Sequence, residues 1–168
     1  MNKFLVVIAI IGVGALSAPA TSFIEPLKHR VYSANKQYFV LVDPINDLHS
    51  IRPTRSPWKI LWHFKQRSQF DSIFLADSGE TAFWVAWEFV DVDNLDQDAV
   101  VIFRRHGEDL RFSFNEVSHP REAHRGEVSP VGDSIRLWRD GVEQTPTGIR
   151  ISPSGRPVLT LEESSKKK

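Results

Sequence analysis

Apolar and polar positions alternate with a period of two along much of this chain, and short polar turns interrupt the pattern. That period marks strands rather than helices. Between Trp58 and Phe64, the residues Trp58, Ile60, Trp62 and Phe64 fall on one face, and Lys59, Leu61 and His63 on the other. The pattern predicts a half-buried strand with its tryptophans in the core. Leu110, Phe112 and Phe114 alternate in the same way with Asp109, Arg111 and Ser113. Lys36–Asp43 and Thr81–Val90 are apolar on both faces instead. A strand of that kind is covered on both sides. Thr81–Val90, with Phe83, Trp84, Trp87 and Phe89, is therefore expected at the centre of the fold.

The turns between these runs carry their own signals. Asp77-Ser78-Gly79-Glu80, His106-Gly107-Glu108, Asp140-Gly141 and Pro153-Ser154-Gly155 each separate two extended segments. Glycine takes the positive φ that tight hairpins require. Pro44–Asp47 divides Lys36–Asp43 from a return strand that starts at Leu48. Only Ser113–Glu116 reads as helical, a single turn capped by Ser113 or Asn115 and ended by Pro120. Pro120–Pro130 is polar and without period, and is expected to be the longest loop.

These elements add up to an all-β domain, a mostly antiparallel sandwich or open barrel of about nine or ten short strands. The hairpins are blade-like, yet the glycine turns at 79, 107, 141 and 155 keep no fixed period. The chain is also too short for four propeller blades, so a closed propeller is excluded.

Residues 1–20 are expected to lie outside that domain. Lys3 precedes the apolar run Phe4–Leu16, and Ser17-Ala18-Pro19-Ala20 offers the small residues of a signal-peptidase site. As a helix the run spans roughly 20 Å, short of the ~30 Å hydrocarbon core of a bilayer. The reading is a cleaved secretory signal peptide that leaves no stable membrane anchor. The β domain then covers 21–161, and 162–168 reads as a disordered, frayed tail. The chain has no cysteine, which excludes disulfides and a lipid-modified leader cysteine. A cysteine-free exported domain points to a bacterial protein, periplasmic or secreted. Its 21 basic residues balance its 21 acidic ones. Zero net charge gives no electrostatic case for nucleic acid or for an anionic membrane as partner.

Candidate chemistry is sparse. Glu88 lies on the doubly apolar strand, where an unpaired carboxylate is costly. It is a strand-end acid paired with Arg104 or Arg105, a desolvated acid in a cleft, or an edge residue open to water. His119-Pro120-Arg121-Glu122-Ala123-His124, with Glu116 upstream, gathers metal-ligand types. Pro120 keeps both histidines off one helix, so the segment reads as a solvated loop. His119, Arg121 and His124 stay as binding candidates. Asp91–Asp98 is acidic, but Leu95 occupies an oxygen-ligand position of an EF-hand loop counted from Asp91. It reads as an acidic loop between strands. Ser134 follows Gly132-Asp133, yet the last histidine, His124, precedes it, so no downstream base serves it. No phosphate-cradling or dinucleotide motif is present, and neither a cofactor nor a metal is expected. Trp138 stands among Arg136, Arg139 and Asp140 and is the tryptophan best placed for an exposed platform, with Arg136 beside it. Burial in the core is the competing reading.

The run Phe74–Thr81, the segment Trp84-Val85-Ala86-Trp87, and Val131-Gly132-Asp133 with Trp138 resemble a group of exported bacterial proteins of unassigned activity. Those proteins share a strand–SDDG–strand hairpin, an aromatic strand and a later GDxxR.W element. Ala76-Asp77-Ser78-Gly79 departs from the first of these. The resemblance runs from Tyr38 to Trp138 and implies no activity. The expected function is a non-catalytic binding or interaction module of the cell envelope, taking an unknown protein or small ligand. One alternative is an enzyme of unfamiliar type using Glu88 or the His119–His124 loop. Another is a structural protein that pairs through its sheet edges.

Overall fold

A computed structural model describes residues 27–67, 71–120 and 135–166. The expected leader, Arg121 and His124 lie outside the described residues. The chain is all-β, with thirteen strands and one four-residue helical turn, α1 (Phe114–Val117), among the described residues. β1 (His29–Tyr32), β2 (Tyr38–Val42), β3 (Leu48–Pro53) and β4 (Trp62–Lys65) form an antiparallel meander. The next five strands are β5 (Ser72–Leu75), β6 (Thr81–Val85), β7 (Phe89–Asp91), β8 (Asp98–Arg104) and β9 (Leu110–Ser113). Four of them build a second sheet in the order β5-β6-β8-β9. β7 leaves that sheet and pairs with β10 (Ile135–Leu137). β11 (Arg139–Thr145), β12 (Gly148–Pro153) and β13 (Leu159–Glu162) form the last meander.

The sheets pack in a sandwich-like arrangement, and none closes into a barrel. They meet along β5, against which β1, β2 and β12 all run. Gln144 of β11 pins this junction, donating to the Leu75 carbonyl at 2.8 Å and the Tyr32 carbonyl at 3.2 Å. β6 is buried at every position, as its two apolar faces predict. Phe64 of β4 stacks on Phe103 of β8 at 4.3 Å between centroids, joining the first two sheets. Each such aromatic contributes roughly 2 kcal/mol or more through burial.

Two glycines are dictated by space as well as by backbone. Gly79, in the β5–β6 turn, has φ 73°, and a Cβ there would press to 2.8 Å from the Tyr38 ring. At Gly148 a Cβ would overlap the Leu161 carbonyl on the neighbouring strand. The capped turn is present: the Glu116 carboxylate accepts the Ser113 N–H at 2.7 Å, at the start of α1.

Four expectations need correction. Among the described residues the strands number thirteen rather than nine or ten, because β1 has no strong pattern and two predicted strands are broken. Asp140-Gly141 is no hairpin turn: it is a register irregularity inside β11. The strand expected from Trp58 begins only at Trp62, which pairs with Ile51. Residues 53–61 instead fold into successive turns, closed by Ser56 N–H to Pro53 O and Lys59 N–H to Ser56 O. Trp58 is 78% exposed and Ile60 51%. Finally, the expected tail is tied down at its start. Glu162 ends β13, Glu163 N–H bonds the Thr147 carbonyl, and Ser78 donates to the Glu163 carboxylate at 2.7 Å.

The first sheet also buries a histidine. His49 is fully enclosed, its ring 5.1 Å from that of Phe64. Nε2 donates to the Gln66 carbonyl at 2.7 Å, and Nδ1 accepts the Asp43 N–H at 3.2 Å. Both bonds together require the neutral ring, and burial lowers its pKa. The Asp43 carboxylate itself pairs with Lys28 at 2.7 Å and accepts from Asn46, which hold its pKa down at about 2.

Candidate functional site

The most informative irregularity is the break between β6 and β7. The sequence Thr81–Val90 has the pattern of one strand, but Ala86-Trp87-Glu88 leaves the ladder. A broken strand strands backbone donors and acceptors, which must find partners when buried. Here they do. Ala86 N–H still bonds Ala99 O at 2.9 Å. The Ala86 carbonyl accepts from both Nε and Nη2 of Arg139, each at 3.2 Å. Trp87 N–H donates to Asp71 Oδ1 at 2.8 Å. The Trp87 carbonyl accepts the Trp138 indole N–H, and the Glu88 carbonyl accepts the Trp138 backbone N–H at 3.0 Å. Three side chains, Asp71, Trp138 and Arg139, thus replace a stretch of β ladder. Phe89 then pairs with Leu137 and starts β7.

The break changes which way the aromatic residues face. Trp84 is 6% exposed and bonds the Arg67 carbonyl through its indole at 2.9 Å, whereas Trp87 is 39% exposed. Trp87 packs edge-on against Phe89, with centroids 5.2 Å apart. It forms a wall of a cleft of about 540 Å³. Trp84, Ala86, Phe89 and Phe114 supply the rest of the apolar lining. Asp71, Asp96, Asp98, Gln66, Gln97 and Arg67 supply polar and charged groups. Burial raises the pKa of Asp71, while the Trp87 N–H, the Trp84 side chain and the charges of Arg67 and Arg139 pull the other way.

Arg139 is the buried cation behind this wall, 7% exposed. Burial lowers its pKa, and the nearby charges of Glu88 and Asp71 oppose that. Its guanidinium also lies 5.6 Å from the Trp138 ring centroid. Arg139 is therefore a nearby opposite charge for both Glu88 and Asp71, while its donors go to the Ala86 carbonyl. The expected partners are engaged elsewhere: Arg105 pairs with Glu80 at 2.8 Å, and Arg104 donates to the carbonyls of Glu163 and Ser165.

The other predicted residues scatter. Trp138 is completely buried, edge-on to Phe114, and forms no exposed platform. Arg136 is half-buried on β10 and donates to the Ile135 carbonyl at 3.0 Å. His119 is exposed, its N–H bonded to Ser154 O. Backbone bonds run His119–Ser154–Trp138–Glu88 across neighbouring segments. Two segments, those of Ser154 and Trp138, thus stand between His119 and Glu88. The acidic loop is organised by its own bonds. Asp91 caps the 3-10 turn Val92–Asn94, Asn115 donates to Asp96 at 2.8 Å, and Arg111 pairs with Asp98 at 2.5 Å. Among the described residues no group of three or more histidines and carboxylates gathers around one point.

Sequence reasoning missed Asp71 and Arg139. Both act on backbone atoms distant in sequence, which no local pattern announces. Compared with family models, curated proteins and solved structures, the chain finds no match. The cleft itself has an aromatic wall, three carboxylates, two amide side chains and one arginine. That combination suits a ligand with an apolar face and hydrogen-bonding edges, as in a sugar ring.

Proposed function

We propose that this chain is an exported, non-catalytic binding module whose ligand sits in the cleft beside the β6–β7 break. The ligand class is a small polyhydroxylated molecule. The observation that carries this reading is Trp87. A strand with two apolar faces is broken, and its freed backbone is held by Asp71, Trp138 and Arg139. The outcome is one indole turned out of the core into a cleft that also holds Asp71. Stacking on Trp87 supplies affinity, while Asp71 and the glutamines fix orientation. The composition of residues 1–20 supports export.

Titration of neutral soluble oligosaccharides, followed by tryptophan fluorescence and calorimetry, tests the proposal. At least one is expected to bind the wild-type chain and to lose at least tenfold in affinity with Trp87→Ala. Trp87 is partly exposed, so the variant is expected to fold. Equal affinity in the variant, or no binding across the panel, overturns the reading.

A further inference from the structure

The zero net charge of the chain hides a local segregation. From Leu48 to Phe70 there is no carboxylate, while Arg52, Arg55, Lys59, Lys65 and Arg67 are all basic. The most exposed aromatic residue among those described, Trp58, stands in the middle of this segment. Ile60, beside it, is also exposed.

The loop that carries them is built rather than loose. Besides its two turns, Leu61 N–H bonds Ile51 O, and Arg52 braces the loop through Ser50 Oγ at 3.0 Å and Pro57 O at 2.9 Å. Thr54 fastens it to the β1–β2 turn, donating its hydroxyl to Lys36 O at 2.7 Å and its N–H to Gln37 O. Ordered bonds therefore hold an indole and a sec-butyl group out in water. The start of the same loop and the β1–β2 turn line a concavity of about 610 Å³, to which Lys36 and Arg55 contribute cations and Asn35, Gln37 and Thr54 polar groups. No carboxylate is among its lining residues, but the Asp77 carboxylate accepts the N–H of one of them, Asn35, at 2.7 Å. Lys36 sits there at φ 58°, a left-handed conformation that L-residues adopt at a cost.

We infer that the Pro53–Leu61 loop and the β1–β2 turn form a docking surface for a bilayer bearing anionic phospholipids. Trp58 and Ile60 enter the headgroup boundary, where tryptophan is favoured. Lys59, Arg55 and Lys36 meet the phosphates, and the concavity takes one headgroup. Such docking is peripheral: no helix among the described residues is long and apolar enough to cross a membrane. The surface lies at the opposite end of β4 from the cleft, so the inference stands independently of the proposed ligand.

The test is co-sedimentation and fluorescence with phosphatidylcholine vesicles, with and without phosphatidylglycerol, and with brominated lipid as a contact quencher. Wild type is expected to bind the anionic vesicles at low salt and to detach as ionic strength rises. Bromolipid is expected to quench more of its emission than that of Trp58→Phe, which isolates contact at Trp58 from anything residues 1–20 contribute. Arg55→Glu with Lys59→Glu is expected to weaken binding roughly tenfold or more, at about one kcal/mol for each basic residue. All changes lie on an exposed loop, and an unchanged melting temperature confirms the fold. Equal quenching in Trp58→Phe overturns the inference, and so does equal binding by the double variant. Preference for inorganic phosphate or oligothymidine, with no vesicle binding, overturns it as well.

Discussion

Trp58 and Trp138 exchange the places their surroundings predict. Trp58 falls in regular alternation with Ile60, Trp62 and Phe64, the pattern of a core face, yet it stands 78% exposed. Trp138 is surrounded by Arg136, Arg139 and Asp140, the company of a surface residue, yet no part of it reaches solvent. Alternation assigns a residue to a face, but a face is buried only where a neighbouring strand covers it. The β3–β4 ladder stops at the Ile51–Trp62 pair, so Trp58 lies beyond the cover. A charged neighbour, in turn, signals solvent only if its charge goes there. The guanidinium of Arg139 points inward, onto the Ala86 carbonyl.

This contrast can be broken or sharpened by experiment. The largest effect is expected from Trp138→Ala, which removes a fully buried indole and the bond to the Trp87 carbonyl. A loss of about 3–5 kcal/mol in denaturant unfolding is expected. Arg139→Met keeps the volume and deletes the donors to Ala86. A loss of about 2–3 kcal/mol follows from the orphaned carbonyl and the unanswered carboxylates. A tolerant result would mean that the break between β6 and β7 needs no polar brace.

A smaller change should come with pH. His49 is neutral in the fold and its pKa is lowered, so on acidification the unfolded chain takes up the proton first. Stability is expected to be full above the ordinary histidine value of about 6.5 and to fall below it. His49→Gln should flatten that slope in thermal melts between neutral and mildly acidic buffer. Asp43 acts in a separate window. Its pKa is depressed to about 2 by Lys28 and Asn46. Its contribution persists above the ordinary aspartate range and is lost only as pH falls toward about 2. The smallest effect belongs to Trp58→Ala, expected to change stability by no more than about 0.5 kcal/mol. A large loss there would show that Trp58 supports the fold and is not merely displayed by it.

Much of the architecture was legible. The hairpins at Gly79, Gly107 and Gly155 lie where the turn residues predict, and all three glycines have positive φ. The capped turn at Ser113 and the all-β class also follow from local pattern. The candidate site was legible only in part. Glu88, which drew notice as a carboxylate among aromatic residues, lies in the break between β6 and β7. The nearby charge of Arg139 was not identifiable, since Arg104 and Arg105 offered equally good charges on an adjacent strand. Asp71 carried no signal, as its role is to accept the backbone N–H of Trp87, sixteen residues away in sequence.

The order of turns and the periodicity of side chains are local properties, set by the steric demands of each residue and its nearest neighbours, and so the sequence alone determined the β class and most hairpins. Where a strand stops pairing, and whether an indole ends up covered or displayed, depends on segments remote along the chain. The backbone groups freed at Ala86–Glu88 are satisfied by residues more than ten positions away, and only the packed sheets bring Asp71, Trp138 and Arg139 to them.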